Sequence, residues 1–385
     1  MNFIRQNVMA GAVCAVAIVL ALVSSTPASA TGAPFKHPGA IALDHEGHLW
    51  VANQDYFGIT EIQASTGTFI RRIDARADGF IDPSGIAVSG NDVWVVSGGV
   101  EYENGSSHVG MVTELNAVNG DVIRTVNLKN HEMTGLSAVS ADAKHVWVAA
   151  DGGEKVAELS AATGHIVHIY RGGQKIVETS GIASDGGHVW IPSPEIGEGV
   201  VERNALTGKK MRTITPMHRE APPGGGSKAP VYLSPQYVSA DAHYTWTGNE
   251  GGLTAKLYGG SVTQIDAATG KIVRMIGTPA YHFFGHISAI DSDGTHVWVV
   301  NGTVGTRYGQ RGDTVTELSA TNGALIRVVR LHDSLYSDPV GVVSNGVDVW
   351  ITDTGGGATG IGSVIELDAS TGAVVRVINH CCSGQ

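Results

Sequence analysis

Seven tryptophans, Trp50, Trp94, Trp147, Trp190, Trp246, Trp298 and Trp350, recur at intervals of roughly 50 residues and account for every tryptophan in the chain. Each stands in a variant of one short apolar run: HLWVAN, DVWVVS, HVWVAA, HVWIPS, YTWTGN, HVWVVN and DVWITD. Behind each run comes a second recurring segment, from EIQASTGTFIRRI in the first copy to VIELDASTGAVVRVI in the last. There an apolar–polar alternation runs into a short polar turn ending in glycine and leaves as another apolar run. That is the pattern of a β-hairpin, with side-chain oxygens capping the turn and glycine taking its left-handed position. The turn glycines are Gly67, Gly120, Gly164, Gly208, Gly270, Gly323 and Gly372. A further short strand precedes each tryptophan, as in SGIAVSG at 84–90 and GLSAVSA at 135–141.

A lone hairpin is marginal in water, so each unit must pack on its copies. Four short strands per unit, here lettered a to d, at a period near 50 residues predict an all-β chain. The architecture expected is a seven-bladed β-propeller of four-stranded antiparallel blades. Strand a of the first unit already begins near residue 39, and strand d of the last occupies 374–378. Little chain is left for a strand shared between first and last blades. Closure should then rest on packing of blade one against blade seven, with Thr31–Lys36 or the C-terminal tail as a clasp.

The first thirty residues read differently. Arg5 gives a positive start, Val8–Val23 is an apolar run, and Ala28-Ser29-Ala30 is a small-residue cleavage pattern. These predict a secretory signal over 1–30 and a single propeller domain over 31–385, exported to the extracellular space or periplasm and free of the membrane after cleavage. The formal net charge is −11 and becomes one unit more negative when Arg5 leaves with the signal. An acidic balance of this size argues against nucleic acid and anionic membranes as partners. Cys14 also leaves with the signal, and the adjacent pair Cys381-Cys382 cannot staple a core. The fold therefore stands on burial, for which the length is ample, and a monomer is expected.

The unit P-x-G-[IV]-A-V, G-x-x-V-W-V, V-T-E-L-x-A-x-T-G-x-V-V-R resembles the repeats of the YncE-like, NHL-like and streptogramin-lyase-like propellers over essentially all of 31–385. The resemblance implies the architecture directly. For activity it implies less, because a repeat consensus records packing. Streptogramin lyase is a metal-dependent enzyme with histidine and glutamate on the ring face, and no stretch here matches its active-site pattern residue by residue.

Strand direction sorts the connections. All a–b and c–d turns fall on one face and are short; all b–c and d–a loops fall on the other and vary in length. Variable loops on a rigid scaffold are where binding resides. The sort removes much of the histidine count: His48, His145, His188 and His296 each lie two residues before a repeat tryptophan and read as scaffold, as do His165, His168 and His243. On the loop face remain His131, His108, His218, His282, His286 and His332, with Glu250, Arg219, Arg307 and Tyr308 from the sector of blades four to six. Glu250, His282 and His286 are the candidate catalytic residues and the candidate ligands of a divalent metal, His282 and His286 flanking Phe283-Phe284 where the chain enters strand a. His218, Arg219, Arg307, Tyr308 and His332 are the candidate ligand-binding residues. The plain alternative is surface-loop histidines with aromatic plugs at the channel mouth, since no fixed spacing such as H-x-x-x-H appears. PPGGGSKAP lacks the ending of a phosphate loop, and Asn104 and Asn301 open glycosylation sequons.

Three functions fit this reading. The chain binds a small molecule or a protein through its b–c/d–a face; or it is a metal-dependent lyase or lactone- or ester-opening enzyme of the streptogramin-lyase type; or it is a structural envelope or matrix module.

Overall fold

The computed structural model describes residues 35–54, 58–74, 82–98, 110–152, 155–171, 180–193, 199–215, 217–218, 231–232, 234–250, 260–277, 281, 283, 286–302, 313–331, 338–355 and 361–379. Of Glu250 and His218 it describes the backbone. Seven four-stranded antiparallel sheets form, each from one contiguous stretch with its strands hydrogen-bonded in chain order. The blades span 38–74, 83–127, 134–171, 183–214, 234–276, 287–330 and 339–378. A two-stranded ribbon pairs Met217–His218 with Val231–Tyr232 in the connection from blade four to blade five. One 3-10 turn, Lys129–His131, precedes blade three. No helix among the described residues is long and apolar enough to cross a membrane.

Local chemistry sets the hairpins. In the last c–d turn the Asp368 carboxylate accepts the N–H of Thr371 at 2.8 Å, the Gly372 N–H closes on the Asp368 carbonyl, and Gly372 sits at φ 70°. All seven turn glycines share this left-handed conformation, which residues with a Cβ adopt at a cost. Five a–b turns use an Asp in the same way, and blade seven uses Asn345: Asp293 holds the N–H groups of Thr295 and His296 at 2.8 and 2.7 Å.

The tryptophans are the cores between blades. All seven are buried, and each packs into the apolar surface of the next sheet. Trp50 of blade one clusters with Ile86, Val93 and Val95 of blade two, Trp246 of blade five with Ile287 and Val297 of blade six. Trp350 of blade seven clusters with Leu49 and Val51 of blade one, so the series closes on itself.

Among the described residues, closure occurs without a shared strand. Phe35 is fully buried in the core between blades seven and one, and Lys36 bridges Ile361. The Thr352 hydroxyl donates to the Gly39 carbonyl at 2.6 Å. Thr31–Pro34 and the tail from residue 380, with both cysteines, lie outside the described residues.

A second repeated device binds the rim. Opposite each tryptophan, strand c carries a buried Glu (Gln264 in blade five), and opposite that residue strand d carries Arg in six blades. In five blades the Arg Nε meets the Glu carboxylate at 2.7–2.8 Å. The same guanidinium reaches the c–d turn of the next blade. Arg71 donates to the Val118 carbonyl at 3.1 Å, Arg327 to that of Ser370 at 2.8 Å, and Arg376 crosses the closure to Ser65 at 2.9 Å. Blade three lacks the Arg. There Tyr170 donates to Glu158 at 2.5 Å, and Arg203 of blade four lies over its ring at 4.0 Å.

Candidate functional site

Strand a of every blade borders the channel, and three successive positions build its wall. The position before the tryptophan's cross-strand partner is β-branched throughout: Ile41, Ile86, Val139, Ile182, Val238, Ile290 and Val342 form an aliphatic belt. The next position toward the loop face is small in six blades (Ala40, Gly85, Ala138, Gly181, Ala289, Gly341) and Tyr237 in blade five. Tyr237 is accommodated because its cross-strand partner is Gly248. Above these lies a layer of hydroxyls, Ser84, Ser137, Ser180 and Ser288. Three of them stitch neighbouring blades: Ser84 to the Leu136 carbonyl, Ser180 to Gln236 at 3.1 Å, Ser288 to the Pro339 carbonyl at 2.7 Å.

The cavity these positions line holds about 600 Å³, within the range of small-molecule sites. Its lining includes Gln54, Asp82, Gly98 and His286 from b–c or d–a segments, with Gly135 near the start of strand a of blade three. It therefore opens on the variable-loop face. Two residues at the entry to strand a hold strained backbone: His37 and Asp82, each directly before a proline, have φ of 42° and 56°. Their carbonyls accept the N–H of Gln54 (3.3 Å) and Gly98 (3.2 Å), tying strand a to the end of strand b. Strain of this kind collects at sites that must hold a set shape.

His286 is the candidate residue whose side chain the structure places. It is exposed and lines the cavity. A methyl group at position 302 would lie 3.2 Å from its ring and 3.4 Å from the Asp338 carboxylate, so the imidazole of blade six and the carboxylate at the start of blade seven close over Gly302. Glu250 ends strand b of blade five, Tyr244–Glu250, opposite Ser234. Gly248, two residues earlier, abuts Ile287, the neighbour of His286. The fold thus carries Glu250 and His286 to the same blade five–six rim. His282, Arg219, Arg307, Tyr308 and His332 lie outside the described residues, and His218 is placed by its backbone in the ribbon. Among the described residues, no group of three histidine, cysteine or acidic side chains converges as metal ligands.

The repeat histidines are scaffold, as their spacing predicts. Each bridges the a–b turn Asp and the strand c Glu: His48 Nδ1 lies 3.4 Å from Asp44 and 3.1 Å from Glu61, and His296 lies 3.5 Å from Asp293 and 3.7 Å from Glu317. Asn301 is fully buried and donates to Thr314 and Thr316 at 3.2 and 3.3 Å. Its sequon is therefore closed to modification in the folded protein. His131 serves through its carbonyl, which accepts Lys155 Nζ at 2.8 Å.

Sequence reasoning passed over Gln54, Asp82 and Asp338. A signal was present: His37-Pro38, Asp82-Pro83 and Asp338-Pro339 repeat a polar residue before the proline that starts strand a. It also passed over Asp291, which occupies the position opposite the tryptophan where other blades carry Ala, Ser or Val. Asp291 joins three blades, accepting the Ser239 hydroxyl of blade five at 3.3 Å and the Ser344 N–H of blade seven at 2.8 Å. Burial pushes its carboxyl up to about 6 against those hydrogen bonds.

No protein-family model matches the chain, and neither does any curated protein. Solved structures do. Streptogramin B lyase superposes with a TM-score of 0.58 at 16% identity, over 83% of this chain and 91% of that one. BamB from Moraxella catarrhalis gives 0.49 at 14% identity, over 86% and 82%. What this chain shares with streptogramin B lyase is the seven-bladed propeller fold implied by its repeats.

Proposed function

We propose that this protein is an exported propeller that binds a small ligand at the mouth of its axial channel, on the b–c/d–a face. The observation that carries the reading is the roughly 600 Å³ cavity, lined by strand a residues of all seven blades and bordered by Gln54, Asp82 and His286. A concave site where a few polar groups converge is where small molecules usually bind. Export is supported by the signal-like residues 1–30. The test is ligand-observed NMR with a chemically diverse fragment collection on the folded protein, wild type and variants. Fragments should bind wild type and be lost on His286→Ala or Gln54→Ala. They should persist on Asp348→Asn, at the far end of blade seven. Binding indifferent to both mouth substitutions would overturn the reading.

A second reading, a metal-dependent lyase or lactone-opening enzyme, is favoured by the arrival of Glu250 and His286 at one rim. There a histidine would act as base and a cation would polarise a carbonyl. Stoichiometric divalent metal in the purified protein, with chelator-sensitive turnover of lactone or ester substrates, would select it over simple binding.

A further inference from the structure

We propose, on the binding reading above, that the channel ligand is a neutral polyhydroxyl molecule of the monosaccharide or cyclitol class. Backbone N–H and C=O groups of the seven strands a would hold its hydroxyls, and Tyr237 would set its orientation.

The belt side chains belong to the cores between blades: Ile86 packs with Trp50, Ile290 with Trp246 and Ile41 with Trp350. What these residues give the channel is their backbone. Strand a is an edge of each sheet, and its residues line the cavity. In six blades a bond at the a–b turn fixes its phase, as where the Asp44 N–H donates to the His48 carbonyl at 2.9 Å. Antiparallel pairing alternates from there, so the residue opposite each tryptophan bonds to strand b. The residues on either side of it turn N–H and C=O away from strand b. The later of the two shows this directly. Ser184, Ser292 and Ser344 donate their N–H groups to Ser140 Oγ, Ser239 Oγ and Asp291 Oδ2 of the preceding blade, at 3.0, 3.0 and 2.8 Å. The earlier of the two is the belt residue.

At the belt level the preceding blade offers no such oxygen in six of seven seams. Ala138 and Ala289 stand two residues before Ser140 and Asp291, and Tyr237 two before Ser239; the other blades carry Ala or Gly. These positions lie against the inward N–H groups. A methyl on Gly85 would stand 3.3 Å from Val139 N, and one on Gly181 3.1 Å from Val238 N. The wall is therefore a ring of backbone donors and acceptors, and no described lining residue is Lys or Arg. A ligand that displaces water from such groups must return their hydrogen bonds. Hydroxyls both donate and accept, so a polyol returns bonds of both kinds and a hydrocarbon returns none. Tyr237 breaks the sevenfold pattern. Half-buried against the core of blades five and six, it borders the cavity on that side, where an aromatic ring can take the C–H face of a sugar.

The test is calorimetric titration of the full chain with methyl β-glucoside, methyl α-mannoside and myo-inositol. Cyclohexanol and gluconate serve as the one-hydroxyl and anionic controls, and amide hydrogen exchange is read on the same samples. At least one neutral polyol should bind, about tenfold tighter than either control. Its saturation should slow exchange at Ile86, Val139 and Val342 and leave Ala87 and Val343, which bond to strand b, unchanged. Ala289→Ser places a hydroxyl beside the Val342 N–H as Ser239 stands beside that of Ser292; it should weaken binding and protect that amide without ligand. Tyr237→Leu should weaken binding about fivefold, and Tyr237→Phe should restore it. Circular dichroism and melting temperature would confirm that each variant is folded. Cyclohexanol or gluconate binding as tightly as the best polyol, belt amides unaffected by saturation, or full binding in Tyr237→Leu would overturn the assignment. Mouth-dependent fragments that none of the three polyols displaces would overturn it too, while leaving the site standing. If neither fragments nor polyols bind, both readings fall.

Discussion

A buried Glu whose fixed partner is an Arg on the neighbouring strand is costly to assemble and costlier to break. Arg376 meets Glu366 at 2.7 Å and Ser65 across the ring closure at 2.9 Å, while the Glu366 side chain is 3% exposed. Arg376→Ala would leave that carboxyl buried without its cation and cut one bond between the first and last blades. The expected loss is about 3 kcal/mol, read by urea denaturation. Adding Glu366→Gln should restore part of it, since blade five already carries Gln264 at this position, donating to the Ala320 carbonyl at 3.0 Å. A double variant no more stable than Arg376→Ala would show that the carboxyl is not the source of the loss. The tryptophans act through volume instead. Trp147→Ala or Trp298→Ala removes a fully buried ring between two sheets and should cost about 3–5 kcal/mol. An unchanged melting midpoint in either would contradict the core assignment. His286→Ala, at an exposed mouth position, should leave stability within about 0.5 kcal/mol of wild type while removing ligand binding.

At the scale of the element, hairpins and seams differ in what their glycines tolerate. Gly208 and Gly186 both sit at positive φ, 64° and 82°, in turns of blade four. A methyl group on Gly186 meets open space; one on Gly208 would fall within the Tyr170 hydroxyl of blade three. Gly186→Ala should therefore cost only the backbone penalty of about 1 kcal/mol. Gly208→Ala should cost clearly more, because Tyr170 must leave Glu158 and the Arg203 guanidinium. Equal losses in denaturation would mean that Tyr170 does not seal this seam. The hairpins themselves were legible in the sequence because turn chemistry and alternation are local: Asp368, Thr371 and Gly372 announce their turn without any neighbour. The Tyr170 seal was not legible, because it depends on which side chains two different blades bring together. The same holds at the site. His286 was visible as a histidine out of step with the repeat. Gln54 and Asp82 look ordinary until the ring sets them around one opening.

Across the whole molecule, the repeated burial of carboxyls makes stability a function of pH, with a definite sign. Burial pushes Glu61 and Glu114 up to about 7, against the pull of Arg71 and His48 on the first and Arg124 on the second. Glu202, Glu317 and Glu366 are raised for the same reason, and Asp291 rises to about 6. Such groups bind protons more tightly folded than unfolded. Between the ordinary Glu value of 4.5 and about 7 the folded state then holds more protons, so stability falls as pH rises through this window and levels off above it. The turn carboxylates Asp266 and Asp368 have the opposite sign. Hydrogen bonds from their own turns hold them below 3.8, and their contribution is lost only in stronger acid. The two sets together place the stability maximum near the ordinary carboxylate range. Urea midpoints measured from pH 4.5 to 8 should decline and then flatten. The decline is the quantity to follow, because Glu61→Gln with Glu114→Gln changes the absolute level as well, through altered bonds to Arg71 and Arg124. In that double variant the slope between pH 4.5 and 7 should shrink measurably. A midpoint that climbs from pH 4.5 to 7 in wild type, or a slope untouched by both substitutions, would show that these carboxyls are ionised throughout and held by their arginines alone.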